Sequence, residues 1–300
     1  MKKFFSLPNL LFALLIICML THSARKTDSP VIFAVVVFVI ELCYIIYLAR
    51  NEFYRTGKNI STILFGFFLI WEVLATKTNI ANEVLFPSPE NVFYVFISQG
   101  PLIVRGIIAS LTLLGIGFAL ALVLGISLGL IVGWIPVLRD AIFPIAKVLS
   151  PIPAVVYTPY VIALMPTFSS ASVFVIFCGI FWPTFMNMIN SVSSIDKVII
   201  DSARSMNVTT STMLFKVIFP YTLPSIMNGL SVSVSISFMT LTAAEMIGAT
   251  SGLGFFVQKY SAYSDYTKVL TGIIVIGIVV TALNRLIDLL KKKVVKWKEI

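Results

Sequence analysis

Hydrophobic positions in this chain come in long unbroken runs rather than in stripes. Eight runs stand out, at about residues 5–21, 31–49, 61–79, 106–133, 143–165, 172–192, 222–247 and 269–289, and the segments between them hold most of the charged residues. Each approaches the ~20 apolar residues that a helix needs to cross a hydrocarbon core of roughly 30 Å. A segment in lipid must satisfy its own backbone groups, which a helix does. The short alternating segments of a β-barrel do not occur. The pattern predicts an all-α, polytopic membrane protein. Composition agrees: 58% of the 300 residues are hydrophobic and only 12% charged, far more apolar than a soluble domain.

The formal charge of +9 raises the question of nucleic acid. The basic residues lie between and after the apolar runs, not on one soluble face, so they report topology and no nucleic-acid partner is expected. With the N-terminus in the cytoplasm, only Arg25, Lys26, Lys77, Arg105, Lys259 and Lys268 fall outside; the remaining sixteen of the 22 basic residues fall inside. That asymmetry places both termini, and the loop at 193–221, in the cytoplasm. Cys18, Cys43 and Cys178 all sit in apolar runs and His22 is the single histidine. They offer no metal-site spacing and no disulfide framework, and are read as small buried hydrophobes. The start, MKKFFSLPNLLFALLIICMLTHSARK, has some features of a cleaved signal and is read as a retained helix.

Polar and small residues inside the runs are the next layer. Ala121, Gly125, Gly129 and Gly133 recur every fourth residue, a face on which another helix can approach closely. The fifth run holds Pro144, Pro151, Pro153, Pro159 and Pro166. Each deletes a backbone donor and disfavours helix in the residue before it, so this run is not one straight helix. Broken backbone at membrane depth is tolerated around a cavity, and a merely kinked structural helix fits equally well. Asn228, Ser231, Ser235 and Thr242, with Met239 in the gap, share a face of the seventh run, and Asn187 and Asn190 follow Pro183 in the sixth. These polar residues line a solute pathway, or they bond backbone and neighbouring helices; the two readings stand even. Glu41, Glu72 and Glu245 lie in or near the runs. There a bare carboxylate is costly, so each is expected to be protonated, paired or near an interface. No partner cation stands at helical spacing.

The loop at 193–221 contains DSARSMNVTTSTMLFKVIFP, residues 201–220. Ser193 and Ser194 are plausible helix N-caps, with Asp196 favourable to the dipole. Asn207 suits the left-handed conformation that stops a helix near Met206. Thr209, Thr210 and Ser211 can cap a second helix that ends near Pro220. A short helix pair of this kind either rests on the membrane surface or fits a groove on a soluble partner.

This segment resembles the cytoplasmic coupling loop, the EAA loop, of permease subunits in binding-protein-dependent ABC importers. Asp201 stands where Glu is usual, Ser202 replaces the first Ala, Ala203 keeps the second, Asn207 takes the Gly place, and Ile218, Phe219 and Pro220 close the motif. The resemblance runs from about residue 60 to the C-terminus. WEVLA (71–75), FPSPENV (86–92), SPIPAVVYTPY (150–160), TFMNMINSV (184–192) and AAEMIGATSGLGF (243–255) follow the order seen in the nitrate, sulfonate and taurine branch.

The resemblance implies a six-helix ABC importer permease core at 59–300, preceded by an N-terminal two-helix hairpin at 1–58. It implies a prokaryotic cytoplasmic-membrane location and a homodimer or pair of similar permeases around the pathway. ABC ATPase subunits would dock on the loop, and an extracytoplasmic solute-binding protein would deliver substrate. Asp201, Ala203, Arg204, Asn207 and Pro220 are the expected coupling residues; Asn187, Asn190, Asn228, Ser231 and Ser235 are the pathway candidates. The chain carries no G-x-x-x-x-G-K-[ST] loop, so ATP is expected in the partner ATPase and no cofactor in this chain. A proton-coupled secondary transporter that uses Glu245 is the alternative. A membrane enzyme finds no supporting Cys/His cluster or triad.

Overall fold

The computed structural model describes residues 6–27, 29–50, 55–78, 80 and 82–294, without the side chains of Arg50, Ser231 and Val294. Among the described residues the ordered elements are all helical: α1 Leu7–Leu20, α2 Pro30–Arg50, α3 Arg55–Glu72, α4 Pro89–Ser98, α5 Gly100–Trp134, α6 Pro136–Leu149, α7 Ala154–Leu164, α8 Phe168–Ser193, α9 Lys197–Ser205, α10 Thr210–Thr212, α11 Phe219–Gly248, α12 Leu253–Ala262 and α13 Tyr266–Val294. Two π-helical turns, Val73–Lys77 and Met213–Ile218, extend α3 and join α10 to α11. Among the described residues five helices are long and apolar enough to cross a membrane, or up to seven if each of two bent pairs is one span.

The differences from expectation have local causes. The run at 5–21 becomes an α1 of 14 residues, about 21 Å long and short of a roughly 30 Å core. Pro8 lies in its first turn and Thr21 ends it by donating its hydroxyl to the Cys18 carbonyl at 2.6 Å. The proline-rich fifth run is broken into α6 and α7, bent by 92°. Of the cysteines, Cys43 is exposed rather than buried, while Cys18 and Cys178 are half-buried. On a lipid-facing helix side a small apolar residue needs no cover.

The chain forms two compact units, Met1–Val104 with Val257–Ile274, and Arg105–Phe256 with Val275–Ile300. The first has an aromatic core of Phe33, Phe65, Phe68, Trp71 and Phe93. Phe33 stacks on Phe93 with centroids 5.4 Å apart, and the Trp71 indole donates to the Pro87 carbonyl at 2.9 Å. Beside this core the π turn after α3 brings a fifth-neighbour pair together: Lys77 Nζ lies 3.5 Å from the buried Glu72 carboxylate. Thr76 Oγ1 lies 3.2 Å from Glu72 Oε2 and 3.1 Å from Glu90 Oε2. Lys77 also donates to Thr21 O at 2.9 Å and Ser23 Oγ at 3.1 Å, while Ala24 N–H donates to Thr76 O at 3.1 Å. The connection between α1 and α2 is thus fastened to α3. Glu41 is buried on α2, with Oε2 lacking a hydrogen-bond partner.

In the second unit the small-residue face of α5 lies on α8. A β-carbon at Gly129 would stand 2.7 Å from Met188 Cβ and 2.9 Å from Phe185 O; one at Gly133 would stand 2.9 Å from Val192 Cβ. Gly117 extends the same face, since its β-carbon would lie 2.8 Å from Ile176. α8 also packs along α7 and α11.

Candidate functional site

The segment between α8 and α11 builds a helix–turn–helix from its own polar residues. Asp196 caps α9: its Oδ1 accepts from Val198 N–H at 3.0 Å. Ser193 and Ser194 belong instead to the end of α8, where Ser193 donates to Ile189 O at 2.9 Å and Ser194 is the C-terminal cap. Asn207 takes φ 53°, the left-handed conformation that turns the chain. Thr209 then caps α10 by accepting from Thr212 N–H at 3.3 Å.

The second helix does not end at Pro220. It runs through the π turn Met213–Ile218 into α11, with Pro220 in the first turn of α11. Proline has no N–H to give the preceding turn, and a π turn already departs from the i→i−4 ladder at that point.

The loop is held by a core of its own. Ala203, 9% exposed, packs with Ile195, Met213 and Ile218 against Leu130, Met188, Val192 and Ile226. Ala203 therefore faces the protein's interior. Val198, Met206 and Phe215 point outward at 68%, 78% and 64% exposure. Asp201 and Arg204 are exposed and 3.8 Å apart, and the Arg204 guanidinium lies 5.9 Å from the centre of the Trp134 ring. The outward apolar side chains were not singled out in the sequence, where they cannot be told from core residues of the same helices.

A cavity of about 520 Å³ lies between α8 and α11. Asn187 and Asn228 line it together with Thr184, Ser225, Gly229 and Ser233 and the apolar Ile226, Leu230, Val232 and Ile236, and among the described residues no charged side chain does. Ser225 bridges the two helices: it accepts from the Ser191 hydroxyl at 3.1 Å and lies 3.5 Å from Asn187 Oδ1. Such a wall offers neutral hydrogen-bond donors and acceptors to a solute without holding it by charge. Asn190 lies elsewhere, in a second cavity of about 420 Å³ with Arg139, Asp140 and Ser193. Ser235 accepts from Asn284 Nδ2 of α13 at 2.9 Å, a tie between helices. Ser231 is on α11, and its side chain lies outside the described residues. Ser225, three residues before Asn228, shares its helix face, a signal the sequence contained; Ser233, five residues on, does not, and it lines the cavity beyond the bend in α11.

Comparison with known proteins agrees with this architecture. The chain is 29% identical over 235 residues to the taurine transport system permease protein TauC of Escherichia coli (strain K12), covering 76% of this chain and 85% of TauC. It is 32% identical over 189 residues to the nitrate import permease protein NrtB of Synechocystis sp., covering 63% of this chain and 69% of NrtB. The aliphatic sulfonates transport permease protein SsuC of Bacillus subtilis, a putative assignment in its own description, is 26% identical over 232 residues, 76% of this chain and 83% of SsuC. Among solved structures, the inward-facing MetNI methionine ABC transporter shares the fold: TM-score 0.57 at 20% identity, covering 66% of this chain and 98% of the matched one. Residues 121–297, more than half of the chain, match the family described as binding-protein-dependent transport system inner membrane component, and the chain belongs to that family.

Proposed function

We propose that this chain is the membrane-spanning permease subunit of an ATP-driven importer for a small polar solute, with sulfonate-, nitrate- and taurine-like anions as the first class to test and vitamin-precursor-like compounds as the second. Two copies, or this chain and a similar permease, enclose the pathway. An extracytoplasmic binding protein delivers the solute, and separate ATPase subunits dock on residues 193–221. Both termini lie in the cytoplasm. ATP is bound by the ATPase and not by this chain.

The observation that carries the reading is the capped helix pair α9–α10, turned at Asn207 and braced from within by Ala203. A helix pair braced on its inner side, with Val198, Met206 and Phe215 exposed among polar residues on its outer side, is suited to a groove on a partner. Asp201 and Arg204 supply polar contacts at its rim, and Pro220 marks where the loop enters α11. Asn187 and Asn228 are the pathway residues of choice, with Asn190 placed near the far end of α8. Ser231 and Ser235 complete the candidate set on α11. The secondary-transporter reading needs Glu245 free to exchange protons, whereas both its carboxylate oxygens accept hydrogen bonds, from Ser110 and Gly254.

The test is co-purification of the tagged chain from native membranes. Wild type is expected to bring an ATPase subunit with it. Met206→Glu, on the outer side, is expected to fold normally and lose that partner by at least about tenfold, as for an interface hot spot. Equal recovery of the ATPase with Met206→Glu, or no ATPase with wild type under crosslinking, refutes the docking assignment.

A further inference from the structure

Glu245 sits in the last turn of α11 and is 1% exposed. Its Oε1 accepts the Ser110 hydroxyl of α5 at 2.6 Å, and its Oε2 accepts the Gly254 N–H at 2.7 Å. Ser110 Oγ in turn accepts the Leu253 N–H at 2.9 Å. A carboxyl group and a serine thus satisfy two free N–H groups in the first turn of α12, at the positive end of that helix dipole. The backbone is shaped to admit the carboxylate. Gly252 has φ +115°, and a β-carbon there would overlap the Glu245 carboxyl group. At Gly254 a β-carbon would overlap the Thr242 carbonyl and come within 2.8 Å of Glu245 Cβ. Three chain segments, from α5, α11 and the start of α12, therefore meet at one buried side chain.

The other end of α11 leads without a break into the π turn and the helix pair α9–α10. From Phe219 to Glu245 the helix spans about 40 Å. Between these ends it bends: Thr210–Leu230 and Val232–Gly248 are inclined by 43°. The bend adjoins Gly229, which lines the 520 Å³ cavity and whose β-carbon would stand 3.5 Å from Asn187 Nδ2. Pro224 lies inside the same helix six residues before the break, and glycine–serine neighbourhoods, like prolines, are where helices bend.

We propose that Glu245 is a positioning residue: it fixes the end of α11 remote from the coupling loop to α5 and α12, so that displacement entering from the loop is taken up at the Gly229 bend beside the cavity. This rests on the importer reading for its motive force, but the fixed end is a property of the chain by itself. Without the latch the whole of α11 shifts as a rod, and ATP is hydrolysed without working the cavity.

Two measurements test it. The first is amide exchange at Leu253 and Gly254 in the full chain in lipid nanodiscs, which needs no partner. The second is solute uptake per ATP hydrolysed in the assembled transporter. Glu245→Gln keeps the reach, with a carbonyl for Gly254 N–H and an amide for the Ser110 hydroxyl. Glu245→Ala removes both contacts, and Ser110→Ala removes one side and is the gentler variant where the first folds poorly. The expected result is protection and coupling within about twofold of wild type for Gln, and about tenfold loss of both for Ala with hydrolysis maintained. Unchanged protection in both alanine variants overturns the latch. So does a Gln variant as inactive as Ala, which would assign the group to charge or proton transfer. A parallel fall of hydrolysis and uptake would make the contact structural only. A wild-type chain that never assembles with an ATPase counts against the importer reading instead, and the exchange measurement still decides on the latch.

Discussion

The two compact units differ in what stands at their most distinctive contacts. The first interlocks large aromatic rings around Phe33 and buries an ionic cluster of Glu72, Glu90, Thr76 and Lys77. The second brings backbones together over glycines, breaks or bends its helices, and leaves a neutral cavity beside Asn187. Interlocked rings and a buried ion pair have one good arrangement, because any shift leaves a charge or a void uncompensated. Smooth glycine faces and uncharged hydroxyl contacts lose little when helices slide or tilt. The core of the first unit is suited to staying fixed and the α5–α8 face and cavity of the second to moving, while the Glu245 contacts and the stacked Phe177, Phe181 and Phe185 rings hold other parts of the second unit.

Removing the cation from the ionic cluster should have the largest effect. Lys77→Met leaves Glu72 buried without its counter-charge, an expected loss of about 3–5 kcal/mol. It also frees the α1–α2 connection, so the Ala24 amide should exchange faster than in wild type while that of Asn187 does not. Equal acceleration at both positions would erase the distinction between the units. Next in size is Gly129→Val, which forces a side chain against Met188 Cβ and Phe185 O and is expected to cost about 1–3 kcal/mol, read as a lower Tm in detergent. Should Gly129→Val cost nothing, the α5–α8 contact is looser than its distances indicate. Smallest is Asp196→Ala, loss of one helix cap, at about 1 kcal/mol. Its signature is local, faster exchange across α9 with the aromatic core unaffected.

Much of this architecture was legible in the sequence because lipid imposes long apolar helices, and prolines announce the break between α6 and α7. The Ala121–Gly133 face and the turn at Asn207 were readable for the same reason: few residues fit a close helix contact or a left-handed turn. What stayed hidden depended on backbone that leaves the 3.6-residue period or on distant partners. Lys77 is five residues from Glu72, a spacing that only a π turn makes adjacent. The continuation of α10 through Pro220 was hidden by the second π turn in the same way. Ser110 and Glu245 lie 135 positions apart, and no periodicity links them. α4 and α12 were missed because they are short and partly polar. Of the pathway candidates, Asn187 and Asn228 share a wall, whereas Asn190 and Ser235 show that facing inward on a helix does not name the neighbour faced.

The π turn at Met213–Ile218 also sets a phase. It holds one residue more than an α-helical turn would, and each residue of α-helix advances the azimuth by about 100°. Deleting a single codon within the turn would let the helix close into regular α geometry with little rotation, whereas closing it to α geometry with every residue kept would rotate all that follows by about that angle. Asn228 would then turn away from Asn187, and Glu245 from Ser110, in one step. The π width of this short turn, more than the identity of any residue in it, is what keeps α11 in phase with its partners.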